Sequence, residues 1–300
     1  MSQPQQSFSE LPFFQGNFSH TWELFHENSK INLFSIGPSE KAVWERMRET
    51  HESLEFAGYP IIKLPTEGVK LASSLQEAIL TRVSVRDFVS VHMSLKNITT
   101  LLHCAYGVTR DNRGTKFPRA FRVTPSGGAL YPLEIFFFSS KVKNLIPGLY
   151  HYNPSKHHLR FLRKGNFASV IAQRTPFPNL VKKASLLIFI TALFERSIFK
   201  YGDRGYRFVF LEAGHVAQNL NLVSNAMGLN SVNIGGFYDR EMDDFLGLDG
   251  ITHSTIYLTA IGKNAKEAAR ALPLRNKIRK DLLPLGVHER RRNEKKPKYK

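Results

Sequence analysis

The feature that most limits the fold is a change of period two thirds of the way along the chain. Between residues 133 and 193 the apolar residues come in short runs, at 133–139 (LEIFFFS), 149–152, 158–163 and 184–193, bounded by Pro, Gly or Asn. Runs of this length, rich in Phe, Ile and Tyr, predict strands, and Asn153-Pro154 turns the middle two into a hairpin. From residue 204 to 227 the spacing becomes three and four. Tyr206, Val209, Phe210, Ala213, Val216, Ala217, Leu220 and Val223 then fall on one side of a long helix. Asp203 is placed to cap its start and Gly228 to end it. A last strand is expected over residues 253–261, followed by a basic helical arm. Upstream, residues 38–56 hold a helical stretch with Val43, Met47 and Leu54 on one side, and another helix begins at Ser73 or Ser74. Residues 94–106 form a further helix through Leu95, Ile98, Leu101, Leu102 and Ala105, closed by Gly107. Helices, then strands, then one long helix and a strand make an α+β order, not the alternation of a doubly wound sheet.

Charge and composition narrow the classes. The formal net charge is +17, and residues 288–300 (HERRRNEKKPKYK) hold seven Lys or Arg against two Glu. That tail therefore accounts for five of the charges, and twelve remain on the body. A basic surface suits phosphates, nucleic acid, anionic membrane or an acidic peptide, whereas the tail reads equally well as a solvated segment. The 23 Phe point to an aromatic core or pocket. A single cysteine, Cys104, allows no intramolecular disulfide and fits a reducing cytoplasm. Residues 1–10 lack the basic-then-apolar pattern of a signal peptide, and no apolar run is long enough for a bilayer. The expected organisation is a partly irregular extension (1–70), one main domain (71–287) and a disordered basic tail (288–300).

Neither a phosphate-cradling P-loop nor a GxGxxG after a strand is present. His151, His157 and His158 have no Cys or carboxylate beside them in ligand spacing, so no metal is expected. His215, on the long helix, reads as a packed or capped residue. Three segments carry more chemistry. Arg82, Ser84 and Arg86 alternate, which on an extended backbone puts two guanidiniums and a hydroxyl on one face, a receptor for phosphate. A solvated edge strand has the same spacing. Residues 122–132 (RVTPSGGALYP) set Gly127 and Gly128 between prolines, leaving bare backbone that a flat ligand could approach, or a plain turn. Lys200 and Tyr201 precede a helix start, where a loop side chain projects into a cleft, and Gly235 and Gly236 lie in a turn downstream.

In order, these blocks resemble the nitroreductase superfamily and, within it, the SagB-type (thiazoline/oxazoline) dehydrogenase branch. The matching text is RVSVR from Arg82, PSGGALYPLEIFFF from Pro125, GLYHYNP from Gly148, KYGDRGYRF from Lys200, EAGHVAQNLNLVSNAMGL from Glu212 and IGGF from Ile234. The resemblance spans roughly residues 70–262. It implies a central, mostly antiparallel sheet flanked by helices, in a homodimer with an exchanged C-terminal arm and FMN at the interface. Arg82, Ser84 and Arg86 would hold the phosphate end and pyrimidine edge. Pro125, Ser126, Gly127, Gly128 and Leu130 would reach the flavin from the partner subunit. Gly235 and Gly236 would place an N–H near flavin N5, and Arg275 would add a cation to the phosphate. Lys200 and Tyr201 match the catalytic pair of azoline dehydrogenases, with the choice of base left open between them. Common nitroreductases carry Asn and Gln where this chain has Ala129 and Tyr131, which argues against a generic quinone or nitroaromatic reductase.

The resemblance thus implies an FMN-dependent oxidoreductase oxidising azolines to azoles in a ribosomally synthesised peptide. Its expected partners are a second copy, a cyclodehydratase complex and the precursor peptide. The alternative is an FMN- and NAD(P)H-dependent reductase or dehydrogenase of a small molecule. A third reading, a nucleic-acid binder that has lost flavin chemistry, is countered by retention of both Lys200 and Tyr201.

Overall fold

The computed structural model describes residues 20–71, 73–112 and 114–266. The first 19 residues of the expected extension, Arg275 with its arm, and the tail lie outside the described residues. The first part of the chain carries α1 (Thr21–Asn28), α2 (Glu40–Glu49), β1 (Ile61–Lys63), α3 (Leu75–Thr81), β2 (Phe88–Val89) and α4 (Leu95–Tyr106). Two short strands, β3 (Val108–Arg110) and β4 (Phe121–Arg122), pair only with each other. There follow β5 (Leu133–Ser139), β6 (Gly148–Asn153), β7 (His158–Lys164), α5 (Ala168–Ala172), α6 (Pro178–Lys183) and β8 (Leu186–Leu193). The last part holds α7 (Glu195–Tyr201), α8 (Asp203–Ala226), β9 (Asn230–Ile234), α9 (Asp239–Leu246) and β10 (His253–Asn264).

Eight strands form one sheet in the order β1-β7-β6-β5-β8-β10-β2, with β9 also on β10. Every ladder in it is antiparallel, as expected. The Phe-rich runs are strands covered on both faces. On β5, Leu133, Ile135 and Phe137 join one core with α4 and α8, while Phe136 and Phe138 join a second core with α5, α6 and α9. On β8, Ile188 and Ile190 alternate with Leu187 and Phe189 in the same way. An apolar run without polar alternation is what two covered faces require.

The caps explain several boundaries. Ser74 accepts from Glu77 N to start α3, and Ser94 with Asn97 makes a capping box on α4. Gly228 (φ +73) ends α8, with Gly228 N donating to Asn225 O and Leu229 N to Ser224 O, the left-handed stop expected there. Gly107 ends α4 for a different reason. Its φ is −68°, but a Cβ would lie 2.6 Å from the His103 carbonyl oxygen. Asp203 does not cap α8: Gly202 occupies that position without a side chain, because α7 ends one residue earlier.

Tyr206 and Phe210 were placed on the buried stripe of α8, yet both are exposed. The first turns of α8 pack against α7 and α1, where Tyr206 meets Phe25 and Phe194. Leu54 lies beyond the end of α2. No helix among the described residues is long and apolar enough to cross a membrane.

Candidate active site

Lys200 and Tyr201 lie in the last turn of α7, where the sequence suggested a loop. At seven residues this helix is too short for its period to show in the sequence. Three contacts fix it. Arg196 Nη1 donates to Glu134 Oε1 on β5 at 2.7 Å, and Ser197 Oγ donates to Gly205 O at 3.1 Å. Gly205 permits the close approach of α8, since a Cβ there would stand 2.8 Å from the Ser197 backbone. The turn through Gly202 (φ +54) then sends α8 away.

The consequence is a convergence on the glycine pair. A Cβ at Gly128 would lie 2.6 Å from Tyr201 Oη and 2.7 Å from Lys200 Nζ. Gly128 has φ +63, so both space and conformation call for glycine. Lys200 Nζ also sits 5.1 Å from the Tyr201 ring centroid. The same loop carries positive φ at Ala129 (54°) and Tyr131 (49°). Left-handed backbone at a non-glycine costs about 1–2 kcal/mol, so the surroundings must hold it. Tyr131 Oη accepts from Arg122 N at 2.9 Å, Tyr131 N donates to Ser126 Oγ at 3.0 Å, and Leu130 O accepts from Arg119 at 3.1 Å. Arg119 also donates to Met47 O and Thr50, tying the loop to the end of α2. Burial, with Arg196 nearby, lowers the Arg119 pKa to about 10. The Leu130 side chain packs with Val43 and Met47.

Two clefts flank the loop. The larger, about 700 Å³, lies between α2 and the β3–β4 hairpin and is lined by Trp44, Arg110, Phe117, Phe121, Arg122, Gly128 and Lys200 among others. The smaller, about 250 Å³, is lined by Pro125, Ser126, Gly127, Phe208, Leu211, Glu212 and His215. His215 is exposed here, not packed, because it points off the stripe that α8 buries. Glu212 is 2% exposed and its Oε1 accepts from Tyr106 Oη at 2.6 Å. Burial raises its pKa to about 7 against the pull of Ser126, Tyr106 and Arg122.

The other predicted residues form a second group. Arg82 follows α3 and its Nη1 donates to Ser84 Oγ at 3.2 Å. Ser84 bridges in parallel to Ser231 on β9, whose far end leads into Gly235 and Gly236. Ser84, Arg86, Gly235 and Gly236 are exposed, and a Cβ at Gly236 would meet nothing within 4 Å. Neither cleft is lined by any of this group. The chain therefore presents the predicted site residues as two separate sets.

Sequence reading missed the buried polar network beneath α7. Glu134 Oε2 pairs with His151 Nε2 at 2.6 Å and accepts from Ser53 Oγ at 3.0 Å, while Oε1 takes Arg196 and Leu54 N. Burial alone would raise the Glu134 pKa, but Arg196 and His151 outweigh it and hold the carboxyl well below its usual range. One signal was available. A lone carboxylate inside LEIFFFS must find partners once the strand is covered on both faces.

An antiparallel sheet packed between α8 and a layer of small helices is the α+β arrangement of the nitroreductase fold. A family model described as the Nitroreductase family matches residues 79–263. The chain belongs to the nitroreductase family and is an oxidoreductase. It is 36% identical over 172 residues to nitroreductase MJ1384 of Methanocaldococcus jannaschii, covering 57% of this chain and 83% of that protein. It is 31% identical over 146 residues to the microcin B17-processing protein McbC of Escherichia coli, covering 47% of this chain and 54% of McbC, about half its length. Among solved structures, the E. coli microcin synthetase McbBCD complex with truncated pro-MccB17 bound shares the fold. The TM-score is 0.52 at 23% identity, over 81% of this chain and 91% of that one.

Proposed function

We propose that the chain is an FMN-dependent dehydrogenase that oxidises thiazoline or oxazoline rings in a ribosomally made peptide to azoles. The observation that carries this reading is the convergence of Lys200 Nζ and Tyr201 Oη on the bare backbone of Gly128, at the wall of an open cleft. The relationship to McbC, a microcin-processing protein, supports the peptide substrate.

The residues fit a flavin. Gly128 lets Lys200 and Tyr201 close on the loop where a side chain would collide with them, and Gly236 leaves open space above another stretch of main chain. Arg82 and Arg86, with Ser84 between them, offer two guanidiniums and a hydroxyl for a phosphate. Because these two sets line different surfaces, a second copy is proposed to complete the site. One protomer would give Arg82, Ser84, Arg86, Gly235 and Gly236, and the other Pro125, Ser126, Gly127, Gly128 and Leu130. Arg275 is proposed as a further phosphate cation. FMN, when bound, supplies the hydride acceptor.

The chain's own residues supply the proton transfer and the orientation. Azoline oxidation removes one hydride and one proton from adjacent ring atoms, and Lys200 or Tyr201 takes the proton. An amine or a phenol serves as base only in its deprotonated form. The cyclodehydratase that makes the azoline, and its precursor peptide, are the proposed partners. Lys200→Ala should keep flavin and oligomeric state but lose azoline oxidation by roughly 10²–10⁴-fold, the usual contribution of a general base. Near-normal turnover with flavin retained, or release of FAD in place of FMN on denaturation, would overturn the proposal.

A further inference from the structure

The larger cleft carries more charge than proton transfer needs. Three cations line it, Arg110, Arg122 and Lys200, against one carboxylate, Glu40. Both arginines rest against aromatic rings. Arg110 lies 4.7 Å over the Phe121 ring, and Arg122 lies 4.3 Å from the Tyr106 ring and 4.7 Å from that of Tyr131. They belong to paired strands, Arg110 on β3 and Arg122 on β4. Arg122 is 5% exposed, and its Nη2 donates to Glu52 O at 2.6 Å. Its Nη1 has no hydrogen-bond partner among the described residues. A buried guanidinium nitrogen left without an acceptor is costly unless a ligand supplies one. Aromatic side chains form the remaining wall, with Trp44 edge-on to Phe117 and Phe117 stacked on Phe121.

We infer that this cleft is an anion subsite that binds a carboxylate of the substrate peptide, an Asp or Glu near the heterocycle, through Arg110 and Arg122. The inference rests on the reading of the cleft as the peptide site. Two planar guanidiniums suit the planar, bidentate carboxylate, and the aromatic wall suits the flat ring that precedes it.

Trp44 provides a direct reading. The chain has two tryptophans, Trp22 and Trp44, so Trp22→Phe leaves the cleft residue as the sole indole. Flavin-loaded Trp22→Phe protein would be titrated by fluorescence with a thiazole tetrapeptide amide carrying Glu after the ring, and with its Gln counterpart. The Glu peptide should bind roughly tenfold more tightly at low salt, the value of one charge-assisted hydrogen bond, and the preference should shrink as salt is added. Arg110 is exposed, so Arg110→Gln should fold normally and abolish the preference. Equal affinity of the two peptides, or a preference that survives Arg110→Gln, would overturn the inference. A Glu peptide with Gly in place of the thiazole separates this claim from the parent reading. If it binds as tightly as the thiazole peptide and no azoline is oxidised, the carboxylate subsite stands while azoline oxidation falls.

Discussion

Glu212 should make the stability of this protein fall as pH rises through neutrality. Its side chain is buried at 2% exposure beside the loop that meets Lys200, and burial raises its pKa from the ordinary 4.5 to about 7. The folded state therefore keeps a proton that the unfolded chain releases near 4.5. Stability from this group is complete below 4.5 and is lost as pH climbs through about 7. At 1.36 kcal/mol for each tenfold change in proton affinity, the full loss is about 3 kcal/mol, of which about 2.5 falls between pH 5 and pH 8. Glu212→Gln keeps an acceptor for Tyr106 Oη and removes the titration. Denaturant melts of both proteins at pH 5, 6, 7 and 8 give the difference directly, so other titrating groups cancel. The wild type should lose about 2.5 kcal/mol relative to the variant across that range, roughly 5–10 °C in Tm for a domain of this size. Stability curves that run parallel from pH 5 to 8 would refute the reasoning.

Gly128→Ala should cost only about 1–2 kcal/mol in a melt, since the Cβ meets movable side-chain ends, yet cut turnover more than about tenfold by displacing Lys200 and Tyr201. Arg196→Met leaves the buried Glu134 without its guanidinium and should lower stability by about 3–5 kcal/mol, read by denaturant titration. In the wild type, the stability drawn from the depressed Glu134 carboxyl is full above its ordinary 4.5 and is lost as pH falls below it. Acid unfolding should therefore move to higher pH in that variant. The two helix-ending glycines should also differ in thermal melts. Gly228→Ala costs about 1 kcal/mol for its left-handed backbone, whereas Gly107→Ala costs more because its Cβ strikes the His103 carbonyl.

Much of the architecture was legible because its causes are local. The strand runs, the length of α8, a serine cap at 73 or 74 and Gly228 as a stop each follow from residue type and spacing within a few positions. The elements missed, among them α1, α5, α6, α7, β9 and α9, span eight residues or fewer and hold too few turns or alternations for a period to appear. The candidate site divides in the same way. Gly128 and the Lys200-Tyr201 pair were found as separate pieces of sequence, but their meeting depends on α7 being pinned to β5 through Arg196 and Glu134.

The sequence by itself determined which residues could do chemistry and which runs must be buried, because side-chain type and period are properties of the chain. Only the tertiary structure decided that Gly107 is needed for space and not for conformation, that His215 faces a cleft, and that Arg119 clamps the end of α2 to the glycine loop. It also decided that Glu212 sits buried at the loop's back and that the predicted residues fall into two sets. Apart from the approach of Gly107 to His103, these outcomes join residues far apart in the chain. Such contacts follow from how the sheet and its covering helices pack, and spacing along the sequence carries no record of that.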